Sequence, residues 1–333
     1  MNSIKDKTTM LIGGAGYIGS ATADRFIKNG HKLKIFDNLI YKQKHIFKRY
    51  ENENLVELIN GDIRNSKLLS DSLENVDNVV MFAGLVGDPI TKIYPELSQS
   101  INTEAIENSF LIINNSAVDR FIFISTCSNY GLINNNELAN EEYSLNPLSL
   151  YAKSKVSCEK KLLSLKNNLN FTPTILRFAT AFGLSPRMRF DLTVNEFTYH
   201  LSQKKELVVY DKDTWRPYCH VSDFAYLIEK VLSAEKNDVA FEVFNAGHSE
   251  NNATKQMLVE LIGKHIENIK VVYKGDGFDR RNYKVDFSKV KQILDFTPKY
   301  SIEKGIIEIL NEIDKGKFSD FEKNKINYGN YEI

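Results

Sequence analysis

The chain has 333 residues, 42% of them hydrophobic, and its 43 basic and 43 acidic side chains cancel to a formal charge of zero. That length exceeds the usual single-domain size and points to a large α/β unit with an appended lobe. Zero net charge excludes a global field that would draw the protein to nucleic acid or to an anionic membrane, while local basic sites stay open.

Three cysteines, Cys127, Cys158 and Cys219, lie far apart with no C-x-x-C pair. The pattern fits neither a disulfide framework nor a zinc site, so no metal is expected and a reducing cytoplasm is the simplest location. The N-terminal apolar segment is too short for a signal sequence, and no stretch approaches roughly 18 apolar residues, so no membrane partner is expected.

In chain order, the apolar runs "TTMLIGG", "KLKIFDN", "LVELING", "NVVMFAG" and "RFIFIST" alternate with amphipathic stretches such as "ATADRFIKNG" and "LLSDSLENV". This alternation predicts βαβ units and a parallel sheet with helices on both faces. The first run opens into "MLIGGAGYIGS", with Gly13, Gly16 and Gly19 between a strand and a helix. Glycines there let the backbone approach a pyrophosphate, and a helix N-terminus supplies N–H donors for the anion. The second run ends in Asp37, a carboxylate suited to ribose hydroxyls and repulsive to a 2′-phosphate, so NAD is favoured over NADP even with Lys42 and Lys44 nearby. "NGDIRN" offers Asp62 and Ile63 to an adenine edge and face, and Ala83 and Gly84 in "FAGLVGD" let a dinucleotide pass close to the backbone.

The fold expected is a Rossmann-type doubly wound parallel sheet with a smaller C-terminal substrate-binding lobe. Residues 1–177 plus 220–246 would form the dinucleotide domain, and 178–219 plus 247–333 the discontinuous lobe. "SIEKGIIEILNEI" predicts a late helix, and the residues after it, "GKFSDFEKNKINYGNYEI", a poorly packed tail.

Two stretches carry chemistry. "ISTCSNYG" ends a strand with a row of hydroxyl and thiol groups, and "LYAKSK" sets Tyr151 and Lys155 four residues apart on one helix face. A neighbouring ammonium favours tyrosinate, drawing the phenol's reference pKa of ~10 towards working pH.

Glycine turn, acidic strand end, hydroxyl row and Y-x-x-x-K occur in an order that resembles the extended short-chain dehydrogenase/reductases, over nearly the whole chain. Among these it is similar to the NAD-dependent nucleotide-sugar epimerases and dehydratases, although Ile12 stands where their first motif has threonine. The resemblance implies that Tyr151 is the general base for a sugar hydroxyl, that Lys155 holds the nicotinamide ribose, and that Thr126 bonds the same sugar oxygen. It implies further cofactor contacts at Tyr17 and Ile18 in the glycine turn, at Asn38 beside Asp37, at Leu85, and at Asn102 and Ser125. The family's 4,6-dehydratases carry an acid pair where this chain has Cys127 and Ser128, which disfavours dehydration. The 3,5-epimerases place a catalytic cysteine at the Ser128 position, so Cys127 is read first as a small, partly buried side chain and second as a proton-transfer group, and the resemblance places both Cys127 and Ser128 beside the substrate.

For the substrate, "LSPRMRFDLTVNEF" resembles the family's nucleotide-sugar loop, in a branch that includes carbon-4 enzymes of surface-polysaccharide pathways. Asn195 aligns with an asparagine that meets the diphosphate, Thr180 stands where many relatives have asparagine, and Arg187 and Arg189 are possible helpers. "WRPYCHVSDFA" makes Arg216 a diphosphate ligand, with His220 and Asp223 structural. In "DRRNYKVDFSKV" the register favours Arg281, with Arg280 as the fallback; an arginine's planar fork suits phosphate. The resulting expectation is an enzyme acting on carbon 4 of a nucleotide-diphosphate sugar, foremost a 4-epimerase, with a 4-dehydrogenase as the runner-up. A non-catalytic NAD-binding protein would be expected to lose the tyrosine or the lysine. By resemblance the chain would form a homodimer, through the Tyr151 helix and the helix after Asn102.

Overall fold

The computed structural model describes residues 6–134, 137–275, 277 and 281–333. The alternating apolar runs become β1 (Thr8–Ile12), β2 (Lys32–Asp37), β3 (Val56–Asn60), β4 (Asn78–Met81), β5 (Arg120–Thr126) and β6 (Thr172–Phe178). β7 (Thr180–Phe182), β8 (Leu207–Tyr210), β9 (Trp215–His220), β10 (Glu242–Ala246), β11 (Asn252–Thr254) and β12 (Val271–Lys274) follow. Seven of these build one sheet in the order β10-β6-β5-β4-β1-β2-β3, with every neighbouring pair parallel. Its central strands β1 and β4 are buried at nearly every position, because both faces of such a sheet are covered by helices.

Successive residues of β1 feed opposite cores. Leu11 belongs to one buried cluster with Phe26, Ile35, Leu176 and Phe244, while Met10 and Ile12 belong to a second with Phe36, Phe110, Phe121 and Phe123. The chain's winding direction reverses between β1 and β4, and the carboxyl ends of these two strands open the crevice in which doubly wound sheets hold ligands.

Two smaller sheets, β11-β9-β7 and β12-β8, lie outside this frame. They share a core of Phe182, Val194, Leu258, Ile262 and Ile306. Ile306 belongs to the helix Ile302–Asp314, which Ser301 caps by accepting the Lys304 N–H at 3.2 Å. Tyr283, Val285, Phe287 and Phe296 belong to the buried cluster that also holds Leu11 and Phe244.

The final segment departs from expectation. Phe318 and Phe321 are buried against Phe190 and Tyr199, and Tyr328 accepts a backbone bond from Phe190 at 2.7 Å. Arg187 Nη2 donates to the Gly329 carbonyl, and Asn330 Nδ2 to the Val86 carbonyl. Phe318, Phe321 and Tyr328 supply the apolar contacts that a polar tail would lack, so residues 317–333 pack as an ordered segment. Among the described residues, no helix is long and apolar enough to cross a membrane.

Candidate active site

A cavity of about 560 Å³ runs along the carboxyl ends of β1, β2, β4 and β5, a size typical of ligand sites. Its floor is the glycine turn. Gly13 has φ +82°, and a Cβ there would lie 2.7 Å from the Ala83 nitrogen; a Cβ on Gly19 would lie 2.6 Å from the Gly13 carbonyl. Both glycines are therefore required for β1, the turn and the β4 end to meet. The following helix, Tyr17–Lys28, has no side-chain cap and no acid in its first turn, so its leading N–H groups are left for an anion. Gly13, Gly16, Tyr17, Ile18 and Gly19 all line the cavity beside them. The cradle fits a dinucleotide pyrophosphate.

Asp37 lines the adjoining wall. Its oxygens accept the Ala15 N–H at 3.0 Å, the Leu39 N–H at 2.8 Å and Gln43 Nε2 at 3.2 Å, and burial pushes its carboxyl up. Oδ2, which accepts only the Ala15 N–H among the described residues, keeps a further lone pair for a ribose hydroxyl. Asn38 and Ile63 also line this end. Asp62 does not: it turns to Arg64 and Asn38, and its bonds to Arg64 hold it down at about 2.

Ala83, Gly84 and Leu85 line the next stretch. Asn102, expected to touch cofactor, lies fully buried behind them, where its amide accepts the Leu85 N–H at 2.7 Å and donates to the Leu85 carbonyl at 2.9 Å. It is carried by a π-helical turn, Ser100–Ala105, and fixes the strand end from the rear.

Ser125, Thr126 and Ser128 continue the wall from β5, and Tyr151 and Lys155 face it from the helix Leu150–Ser164. Ser149 caps that helix through the Ala152 N–H. Lys155 Nζ donates to the Ile124 carbonyl at 2.8 Å, lies 4.7 Å from the Phe123 ring and 5.9 Å from the Tyr151 ring, and is drawn down to about 8 by burial. The expected tyrosinate is not favoured in this state. Burial pushes the Tyr151 phenol up, the nearby Asp88 and Tyr41 add to the rise, and Arg189 and Arg281 oppose it.

Behind this wall lies a buried ion pair. Glu159, one turn beyond Lys155, accepts from Arg177 at 2.8 Å, from Asn129 at 2.9 Å and from the Ser125 hydroxyl. Cys127 is also behind the wall: its thiol donates to the Arg177 carbonyl at 3.1 Å, it is 1% exposed, and burial pushes it up. Cys127, expected beside the substrate, does not line the cavity.

Thr180, Arg187, Arg189, Arg216 and Arg281, expected at the substrate, all line the cavity. Arg187 lies towards the cofactor end, over the Tyr41 ring at 5.1 Å, and burial beside Arg189 lowers it to about 10. Arg189 pairs with Asp191 at 2.5 Å. Arg216 lies 5.2 Å from the Tyr283 ring, and Arg281 bonds Ser128 Oγ and pairs with Asp88, both at 3.2 Å. Arg280 falls outside the described residues. Asn195, expected on the diphosphate, is fully buried and spends its amide on the Gly183 N–H, the Tyr17 hydroxyl and the Arg189 carbonyl. His220 and Asp223 are structural, the first bonding Glu308 at 2.8 Å and the second accepting the Lys299 and Tyr300 N–H groups.

Sequence reasoning passed over Asp88, Tyr283, Asn330 and Tyr331, which also line the cavity. Asp88 and Tyr283 sit inside motifs already quoted, so adjacency was the available signal. The last two lie in the segment read as a tail.

A doubly wound parallel sheet with an uncapped glycine turn at its crossover and a tyrosine–lysine helix beside it defines a dinucleotide-dependent oxidoreductase. Residues 9–247 match the model of the NAD dependent epimerase/dehydratase family, and the chain belongs to that family of enzymes, with NAD as its cofactor. The chain is 28% identical to a protein named "Uncharacterized UDP-glucose epimerase YtcB" from Bacillus subtilis (strain 168), over 89% of this chain and 95% of that one. It is 27% identical to "Low-salt glycan biosynthesis protein Agl12" from Haloferax volcanii, over 89% and 95%. Among solved structures, UDP-glucuronic acid 4-epimerase from Bacillus cereus, in complex with UDP-glucuronic acid and NAD, shares the fold with a TM-score of 0.82. That likeness is at 23% identity and covers 92% of this chain and 99% of that one.

Proposed function

We propose that the chain is a 4-epimerase of a nucleotide-diphosphate sugar. The observation that carries this reading is the convergence of Thr126, Tyr151 and Lys155 on the cavity that holds the glycine turn, with Cys127 withdrawn behind the wall. Bound NAD supplies a hydride acceptor and donor for the sugar carbon. Tyr151 takes the proton of the 4-hydroxyl, and Thr126 Oγ1 bonds the same oxygen and holds the C–H in line. The Lys155 ammonium holds the ribose and offsets the charge of the ionising phenol. Arg216 and Arg281 give the local basic end suited to a diphosphate, and Thr180 adds a hydroxyl. Neither Cys127 nor Ser128 supplies the acid that dehydration needs at those positions.

The relative named as a UDP-glucose epimerase supports this reading, and the glycan-biosynthesis relative supports a place in surface-glycan synthesis. The same reading includes a cytoplasmic location, which three buried free thiols suit. It also includes a homodimer built on the helices Leu150–Ser164 and Ile106–Asn114, which leave Leu150 and Leu111 exposed. Light scattering that gives a monomer at micromolar concentration would remove the dimer.

The test is incubation of the purified protein with UDP-, GDP-, CDP- and dTDP-sugars. The expected product is an isomer with no net NAD consumption; accumulation of a keto sugar with NADH would favour the 4-dehydrogenase instead. Tyr151→Phe should lose about 10²- to 10⁴-fold in turnover while still binding NAD, whereas unchanged behaviour would indicate a binding protein.

A further inference from the structure

The last residues of the chain cross from one side of the cavity to the other. On one side the Phe190 N–H donates to the Tyr328 carbonyl at 2.7 Å, Arg187 Nη2 to the Gly329 carbonyl at 3.2 Å, and the Asn330 N–H to Asp191 Oδ2 at 3.2 Å. On the other, Asn330 Nδ2 donates to the Val86 carbonyl at 3.1 Å, directly after the wall of Ala83, Gly84 and Leu85. Ile333 packs against the buried cluster that includes Phe36, Tyr41, Ile63 and Leu85, and Glu332 reaches Lys42 at 3.8 Å. Between the two sets of anchors, Tyr331 lines the cavity and is nonetheless 43% exposed, so it stands between the cavity and solvent.

The far anchors all follow the ends of β2 and β4, the strands that lead into Asp37 and into Ala83, and Arg187 lies over the Tyr41 ring. The crossing therefore covers the half of the cavity that fits the dinucleotide. Its bonds are few, and its ion pair is long and exposed at both partners, so the segment can detach locally while the sheet stays folded.

We infer that residues 329–333 form a strap that slows the exchange of NAD in both directions. A dinucleotide seated on the glycine turn leaves, and another enters, only as often as the strap detaches. The inference deepens the 4-epimerase reading and rests on it for its use. An epimerase returns to the sugar the hydride it took, so NAD ends each cycle oxidised and has no need to leave, whereas a 4-dehydrogenase must release NADH at every turnover.

The test is stopped-flow fluorescence with NADH as the probe, following its association with NAD-free protein and its displacement by excess NAD. Asn330→Ala combined with Ile333→Ala removes two far anchors and keeps the full chain; a second variant ends at Gly329. Thermal melting checks that both are folded. In each, dissociation and association should both quicken by about 10- to 100-fold while Kd changes by less than about threefold, because removing a barrier eases passage in either direction. A dissociation rate unchanged within about twofold in both variants overturns the inference. Faster dissociation with unchanged association also overturns it, since the segment would then be a contact of the cofactor and not a barrier. These rates are read without any sugar, so failure of the epimerase reading shows separately, as a keto sugar with NADH in the product assay.

Discussion

Glu159→Gln isolates what holds the catalytic helix to the sheet. Glu159 is 1% exposed and gathers Arg177, Asn129 and Ser125 onto one carboxylate. The substitution keeps volume and one acceptor oxygen but turns an amide N–H₂ towards the guanidinium, leaving Arg177 as an uncompensated buried charge. Breaking a buried pair in this way costs about 3–5 kcal/mol. Unfolding entropy of about 2.1 cal/mol/K per residue gives ~0.7 kcal/mol/K for a chain of this length. The melting temperature should therefore fall by about 4–7 °C in scanning calorimetry of the NAD-free protein. Replacing both partners, Glu159→Leu with Arg177→Met, should recover much of the loss, because two apolar groups leave no charge to desolvate. A fall of less than about 1 °C in the single variant, or a double variant as unstable as the single, would refute this account of the wall.

Two further outcomes follow from the site. Cys127→Ala should retain turnover within a few fold, since the thiol is buried and committed to the Arg177 carbonyl; an activity loss as large as that of Tyr151→Phe would restore it to proton transfer. Glu196, in the first turn of the helix Thr193–Ser202, is pushed up to about 7 by burial, with Asp191 adding to the rise. Its folded pKa lies above the unfolded one, so its favourable contribution is complete below about 4.5 and is lost as pH rises through about 7. Glu196→Gln should accordingly raise the melting temperature at pH 8 and leave it nearly unchanged at pH 4.5; equal effects at both would contradict the assignment.

The parts legible in the sequence are those fixed by local geometry. Gly13 and Gly19 are required by contacts within the turn and with the adjoining strand end, and Tyr151 and Lys155 share a face by helical spacing alone. Long-range choices were not legible. Asn195 and Asn102 have the chemistry of ligand contacts, but the fold points both at backbone groups that would otherwise be buried without partners. Asp62 likewise bonds Arg64, two residues away, a local pairing that the motif alone does not announce. Arg187 and Arg189 are a chain neighbour apart, yet one meets an aromatic ring and the other an acid, a division that periodicity does not encode. The closing segment defeated composition outright: Phe318, Phe321 and Tyr328 are spread among polar residues, and only the docked Phe190 reveals them as one cluster.

That docking ties the two halves of the molecule by a seam of few bonds. Tyr328 and Gly329 hold the lobe through Phe190 and Arg187, Asn330 holds the β4 loop through Val86, and Glu332 reaches Lys42 at 3.8 Å. Asn330 and Tyr331 of this segment also line the cavity. Few bonds hold these residues, so heating should loosen them locally below the temperature at which the whole chain melts.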